Sequence, residues 1–156
     1  MALAEVPFRS MLLTDVRNLI TREWVRYLQS VVDVVNLSAR RLATVTKTAQ
    51  TASLTATALD TGTLNPGVYR VGYTARITTA ASTSSSLTVT LAWTDGSVGQ
   101  SQSGAAMTGN STTTQQNDTW LVHIDKATTI TYATTYASSG GTAMQYSLYV
   151  IAEEIG

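Results

Sequence analysis

The feature that most narrows what this chain can fold into is a run of period-two alternation between residues 68 and 79. Tyr69, Val71, Tyr73, Ala75 and Ile77 fall on one side of an extended chain, and Arg70, Gly72, Thr74, Arg76 and Thr78 on the other. A helix would scatter those apolar side chains around its circumference, so the run predicts a half-buried strand. The rhythm returns downstream. Leu87, Val89, Leu91 and Trp93 alternate with Thr88, Thr90 and Ala92, and Asp95-Gly96 then supplies hairpin chemistry. Trp120, Val122 and Ile124 alternate within 119–125, and Ile130, Tyr132, Thr134 and Tyr136 within 129–136. Met144, Tyr146, Leu148 and Val150 do so within 143–152, with Tyr149 and Ile151 opposite them, as in a central strand or one against a neighbouring subunit.

Weaker runs at 53–59 and 98–103 bring the total to about seven or eight short strands separated by turn chemistry. Asn65-Pro66-Gly67 is one such turn, and 108–117 reads as a long polar loop. Threonine recurs throughout, and β-branched side chains pack well on pleated surfaces. The expected class is mainly β, with a jelly-roll-like antiparallel β-sandwich over residues 51–156.

One stretch departs from this rhythm. In residues 21–42, Trp24, Leu28, Val31 and Val35 are spaced four, three and four apart, and the series continues to Ser38 and Leu42. That is a heptad seam, and it predicts an oligomerising helix over 21–42. Thr21 serves as N-cap, Glu23 favours the first turn, and Arg40 and Arg41 favour the last. Val25, Val32 and Val34 widen the stripe, which suits a trimeric coiled coil or a helix lying on its own β domain. With no second helical pattern after it, association of copies is the preferred reading. Residues 1–20 form a lead-in whose Pro7, Phe8, Met11, Leu12 and Leu13 read as an attachment segment. The composition shifts to Thr, Ala and Lys at 43–50, where the domain boundary is expected.

Composition narrows the chemistry. Charged residues are 13% of the chain, about half the usual share, and ten basic residues balance ten acidic ones. No field draws nucleic acid or an anionic membrane. Between Ile77 and Ala152 the only charged residues are Asp95, Asp118, Asp125 and Lys126. With no cysteine there is no disulfide, thiolate metal site or thiol nucleophile. No apolar run is long enough to span a bilayer, and the N-terminus lacks the pattern of a signal peptide, so cytosolic synthesis is expected.

His123 is the single histidine and shares a strand face with Asp125, but a polar face residue accounts for it better than a catalytic base. Asp95, Asp118 and Asp125 lack the loop spacing of a calcium site. Trp93 and Trp120 alternate with the core face and read as core rather than as stacking platforms. No catalytic, cofactor-binding or metal-ligating residue is assigned, and no cofactor is expected. What remains is surface: the loops 80–86, 100–117 and 137–142 are rich in Ser, Thr, Gly, Asn and Gln, which suit polar recognition, carbohydrate included.

The run Leu19-Ile-Thr-Arg-Glu-Trp-Val-Arg-Tyr-Leu-Gln29, entered from a Pro-containing apolar segment, resembles the opening of small virion proteins of tailed bacteriophages. The likeness covers the first 40 residues by motif and the remainder by composition and plan. It implies a non-enzymatic structural component, commonly trimeric, that attaches to other virion proteins through its N-terminal part and projects a β head. It implies location in the virion, assembled in the host cytoplasm. A tail- or neck-associated fibre component is expected first. A capsid decoration protein and a carbohydrate-binding module that reads a host surface glycan are the alternatives.

Overall fold

The computed structural model describes residues 22–37, 40–59 and 62–155; the side chains of residues 23, 33–37, 40 and 41 fall outside the description. The chain divides into two compact units, Met1–Ala39 and Arg40–Gly156. The first contains α1, Arg22–Leu37. Among the described residues the second contains eight strands: β1 Arg40–Gln50, β2 Thr57–Ala58, β3 Gly67–Thr79, β4 Ser84–Asp95, β5 Val98–Ser103, β6 Gln115–Ile124, β7 Thr131–Ser139 and β8 Gln145–Glu154.

The strands form two four-stranded sheets, ordered β1-β8-β3-β6 and β2-β7-β4-β5, with every neighbouring pair antiparallel. Only the β4–β5 hairpin stays within one sheet; every other connection crosses to the opposite one. This shuttling is the connectivity of an eight-stranded jelly roll. The alternation explains how the two sheets close on each other. Tyr69, Val71, Tyr73, Ala75 and Ile77 of β3 are all 3% exposed or less, as are Leu87, Val89 and Leu91 of β4 and Tyr146, Leu148 and Val150 of β8. Interleaved residues such as Arg70 and Arg76 face solvent. A one-residue slip in any of these strands would turn its apolar set outward, so burial holds the register.

Departures from the sequence reading have physical causes. α1 ends at Leu37, and Arg40 and Arg41 open β1 opposite Glu154 and Glu153 instead of closing the helix. Leu42, expected in the helical seam, therefore lies in β1 and packs half-buried against the core. The boundary between units falls at 39/40 rather than within 43–50. β1 escapes the pattern because it is an edge strand with register shifts between Arg41 and Ala43 and between Lys47 and Gln50. Within the second shift Ala49 adopts φ 50°, a left-handed conformation that alanine takes at a cost. β6 begins at Gln115 because a backbone ladder to Arg76, Ala75 and Thr74 needs no apolar side chain. Of the expected strand 53–59, only Thr57–Ala58 form a ladder. The rest is held to β7 partly by side chains: the Tyr136 amide donates to Ser53 Oγ at 3.0 Å and the Leu54 amide to Thr134 Oγ1 at 2.8 Å. Among the described residues α1 is the one helix, and no coiled coil is present within them.

Thr134 and Tyr146 link the two sheets through the core. Tyr146 donates its hydroxyl proton to the Ala52 carbonyl at 2.9 Å. The Thr134 hydroxyl, 2.6 Å away, therefore donates to the Tyr146 oxygen while accepting from the Leu54 amide. Each group in this buried chain is satisfied. Tyr146→Phe leaves the Ala52 carbonyl and the Thr134 proton without partners, and should cost about 1–3 kcal/mol in urea unfolding.

Burial raises the pKa of Tyr146 above 10.0; the Thr134 hydrogen bond opposes the rise and the nearby Tyr136 adds to it. Tyr73 is raised too, first by burial and then by the Asp118 carboxylate. A folded-state value above the unfolded one means that the unfolded chain loses its proton first. The stabilisation is complete below pH 10 and is lost as pH climbs through the folded values. Thermal melts should show a midpoint that falls above pH 10, with a shallower fall in Tyr146→Phe.

Candidate functional site

The β domain has two distinct poles. β1 runs from Arg40, opposite Glu154, to Gln50, opposite Tyr146. The chain therefore enters and leaves the sandwich at one pole. The connections 80–83, 104–114 and 140–144 gather at the other, while 51–56 departs from there and runs along β7.

The far pole is built from the loops that stood out for their polar composition. The Ala81 amide donates to the Gly109 carbonyl at 2.8 Å and the Ser82 amide to the Thr142 carbonyl at 3.2 Å. Asn110 is the centre of the lacing: its Nδ2 donates to the Thr83 carbonyl at 2.8 Å, and its Oδ1 accepts from Ser85 Oγ at 3.1 Å. Ser85 Oγ in turn accepts from the Gly109 amide at 2.7 Å, and Ser82 Oγ from the Thr142 amide at 3.1 Å. Two glycines make the approach feasible. Gly109 sits where a Cβ would collide with the Met144 side chain, and Gly140 has φ 106° with its Cβ position against Ser82 and Thr83. Asparagine and serine side chains here do what a backbone ladder does elsewhere.

The surface so formed is polar and uncharged. Ser82, Thr83, Thr108, Asn110, Thr112 and Thr142 are exposed. Residues 80–86, 104–114 and 137–144 contain no ionisable side chain, so this pole provides hydrogen-bond donors and acceptors without a proton-transfer group. Beside it lies a shallow groove of about 360 Å³ lined by Ser84, Ser85, Ser86, Ala137, Ser138 and Ser139. Of the span 100–117, residues 100–103 belong to β5 and 115–117 to β6; only the middle joins the loop cluster.

His123, Asp95 and Asp125 meet at the near pole instead. His123 Nδ1 lies 3.4 Å from Asp95 Oδ2, and the Asp125 amide donates to Asp95 Oδ1 at 2.9 Å. The carboxylate beside the imidazole is thus Asp95, across the sandwich, rather than its strand neighbour Asp125. With the His123 side chain 64% exposed, the contact is long and water-screened. Asp118 is elsewhere on β6, opposite Tyr73, so the three aspartates do not converge. Among the described residues no three His, Asp or Glu side chains are placed to hold a metal ion. Trp93 and Trp120 pack half-buried against the core, Trp120 with its ring 5.1 Å from that of Tyr73. Arg70 is paired with Glu153, its Nε donating at 2.9 Å.

On α1, the predicted seam splits. Leu28 is exposed, whereas Trp24 and Val31 are half-buried. The side chain of Val35 lies outside the described residues, as do the attachment residues Pro7, Phe8, Met11, Leu12 and Leu13. Val25 and Val32 are the exposed companions of Leu28, at 44% and 53%. Sequence reasoning counted both only as widening the stripe, and it passed over Asn110 altogether. The signal for Asn110 was its position between Gly109 and Ser111, a setting in which asparagine caps backbone.

Asn110→Ala should cost about 1 kcal/mol and speed hydrogen exchange at Ala81 and Gly109 while leaving β3 and β8 protected. No protein-family model matches the chain. No curated protein matches it. Among solved structures it is similar to a chain of "Structure of infectious bursal disease virus Gt strain", with 15% identity and a TM-score of 0.38; the match covers 76% of this chain and 37% of that one.

Proposed function

We propose that this chain is a non-enzymatic structural virion protein of a tailed bacteriophage, a homotrimer that attaches through its N-terminal segment and projects its jelly-roll head. One observation carries the reading: the sandwich begins and ends at the same pole, while an uncharged, hydrogen-bonded loop cluster occupies the other. A domain tethered at one end and polar at the other is suited to display. The resemblance of residues 19–29 to tailed-phage virion proteins supplies the viral context. The exposed apolar side chains of α1 supply a reason for copies to gather. A capsid decoration protein is the same kind of molecule at another site, and its copy number per particle separates it from a tail or neck component.

A second reading follows from the far pole itself. Its hydroxyls and amides match the hydrogen-bonding groups of a neutral glycan, so receptor recognition belongs to that end.

Light scattering of the full chain at micromolar concentration should give the mass of three chains; a monomer overturns the trimer. Antibodies raised against the 104–114 loop should label intact particles, and failure to label particles shown to contain the protein overturns outward display. On a glycan array, saturable binding should fall at least tenfold in Asn110→Ala; binding unaffected by that change rules out the far pole as the glycan site.

A further inference from the structure

β5 and β6 are edge strands of opposite sheets, and close approaches at two levels hold those edges together. At the near pole His123 Nδ1 lies 3.4 Å from Asp95 Oδ2, and Asp95 is opposite Val98 in the β4–β5 ladder. Toward the far pole Gly104 leaves no room for a Cβ against the Tyr73 hydroxyl, which itself donates to Gln116 Oε1 at 3.0 Å. Between these two clasps the flank of the sandwich runs the six residues of β5, about 20 Å.

Antiparallel partners share a face, so the register shows what lines this flank. Gln100 is opposite Trp93 and Gln102 opposite the buried Leu91, which places both amides on the inner side of the sheet. Thr90 and Ser103 belong to the outer side, where their hydroxyls meet at 2.8 Å. On β6, Asp118 and Trp120 are opposite the buried Tyr73 and Val71 and take the inner side too. Yet Gln100, Gln102 and Asp118 are exposed, and Trp93 and Trp120 are half-buried. The flank is therefore open, and two indoles stand in it among polar groups.

We propose that the β5–β6 flank is a binding site for a neutral oligosaccharide. The electron-rich face of an indole attracts the C–H face of a sugar ring. The carboxamides of Gln100, Gln102 and Gln116 supply both donors and acceptors for its hydroxyls, and Asp118 supplies acceptors alone. Neither β5 nor β6 contains a lysine or arginine. With Asp118 as the fixed charge, a phosphate or sialic acid carboxylate finds repulsion here, which excludes nucleic acid and acidic glycans. The groups are arrayed along the strands, so the ligand is a chain of sugars rather than one ring. This site is separate from the far-pole loops and depends neither on Asn110 nor on the association of copies.

An array of neutral and sialylated oligosaccharides, probed with the full-length chain, tests the site. Neutral ligands should bind saturably and sialylated ones should not. Gln100→Ala combined with Gln102→Ala should weaken that binding about tenfold or more without moving the thermal midpoint. Trp120→Ala should weaken it too, while Ser101→Ala, on the outer side of the same strand, should leave it unchanged. Preference for sialylated ligands, or binding that survives the double glutamine substitution, overturns this site. Binding that is lost in Asn110→Ala but kept in the glutamine variant also overturns it and leaves the far-pole reading standing. A chain that binds no saccharide overturns both.

Discussion

The hydrogen-bond chain Leu54–Thr134–Tyr146–Ala52 is the interaction on which the β domain's arrangement most depends. Tyr146 belongs to one sheet and Thr134 to the other, so their 2.6 Å contact crosses the sandwich. The two backbone groups they satisfy belong to the connection between β1 and β2. Four polar groups that would each be costly to bury alone become a closed set. Their geometry also specifies which parts of the chain must meet. Apolar burial drives the sheets together without direction; this chain of hydrogen bonds adds direction.

Jelly-roll connectivity then separates the β domain's two poles. Because consecutive strands run in opposite directions, successive loops alternate between poles. The loops that leave β3, β5 and β7 reach the far pole, and those that leave β4 and β6 reach the near one. The far cluster is laced by the hydrogen bonds of Asn110, Ser82 and Ser85 and anchored by the buried Ala81, Met107 and Met144. A surface can thus be polar, uncharged and still ordered, which is what hydrogen-bond recognition needs at low entropic cost. The near pole holds the acid and imidazole groups, yet their exposure and spacing suit turn stabilisation better than chemistry.

α1 carries apolar residues on more than one face, and the faces differ in what covers them. Trp24, Tyr27 and Val31 are half-buried, while Val25, Leu28 and Val32 lie open. α1 thus has one face half-buried and another open. Its length of 16 residues gives roughly two heptads, so each seam residue carries a large share of any contact.

Much of the core was legible because alternation is a local property: Tyr69 to Ile77, Leu87 to Leu91 and Met144 to Val150 each announce an inward face within one strand. The hairpin at Gly96, with φ 63°, was legible for the same reason. β1 was not, since its bulges interrupt the rhythm and its place beside β8 depends on residues about a hundred positions away. The polar opening of β6 was hidden because a backbone ladder leaves no mark on side-chain type. Three polar loops were recognisable as candidate surfaces, but nothing in their composition said that they would meet. By itself, then, the sequence determined which side chains go inside and that a β-sandwich would form, because hydrophobic burial acts on periodicity. Only the tertiary structure decided strand order, the end of α1, the strand identity of Leu42 and the convergence of the far loops. Those outcomes rest on long-range backbone hydrogen bonds and on packing between strands distant in the chain, which no short stretch of residues encodes.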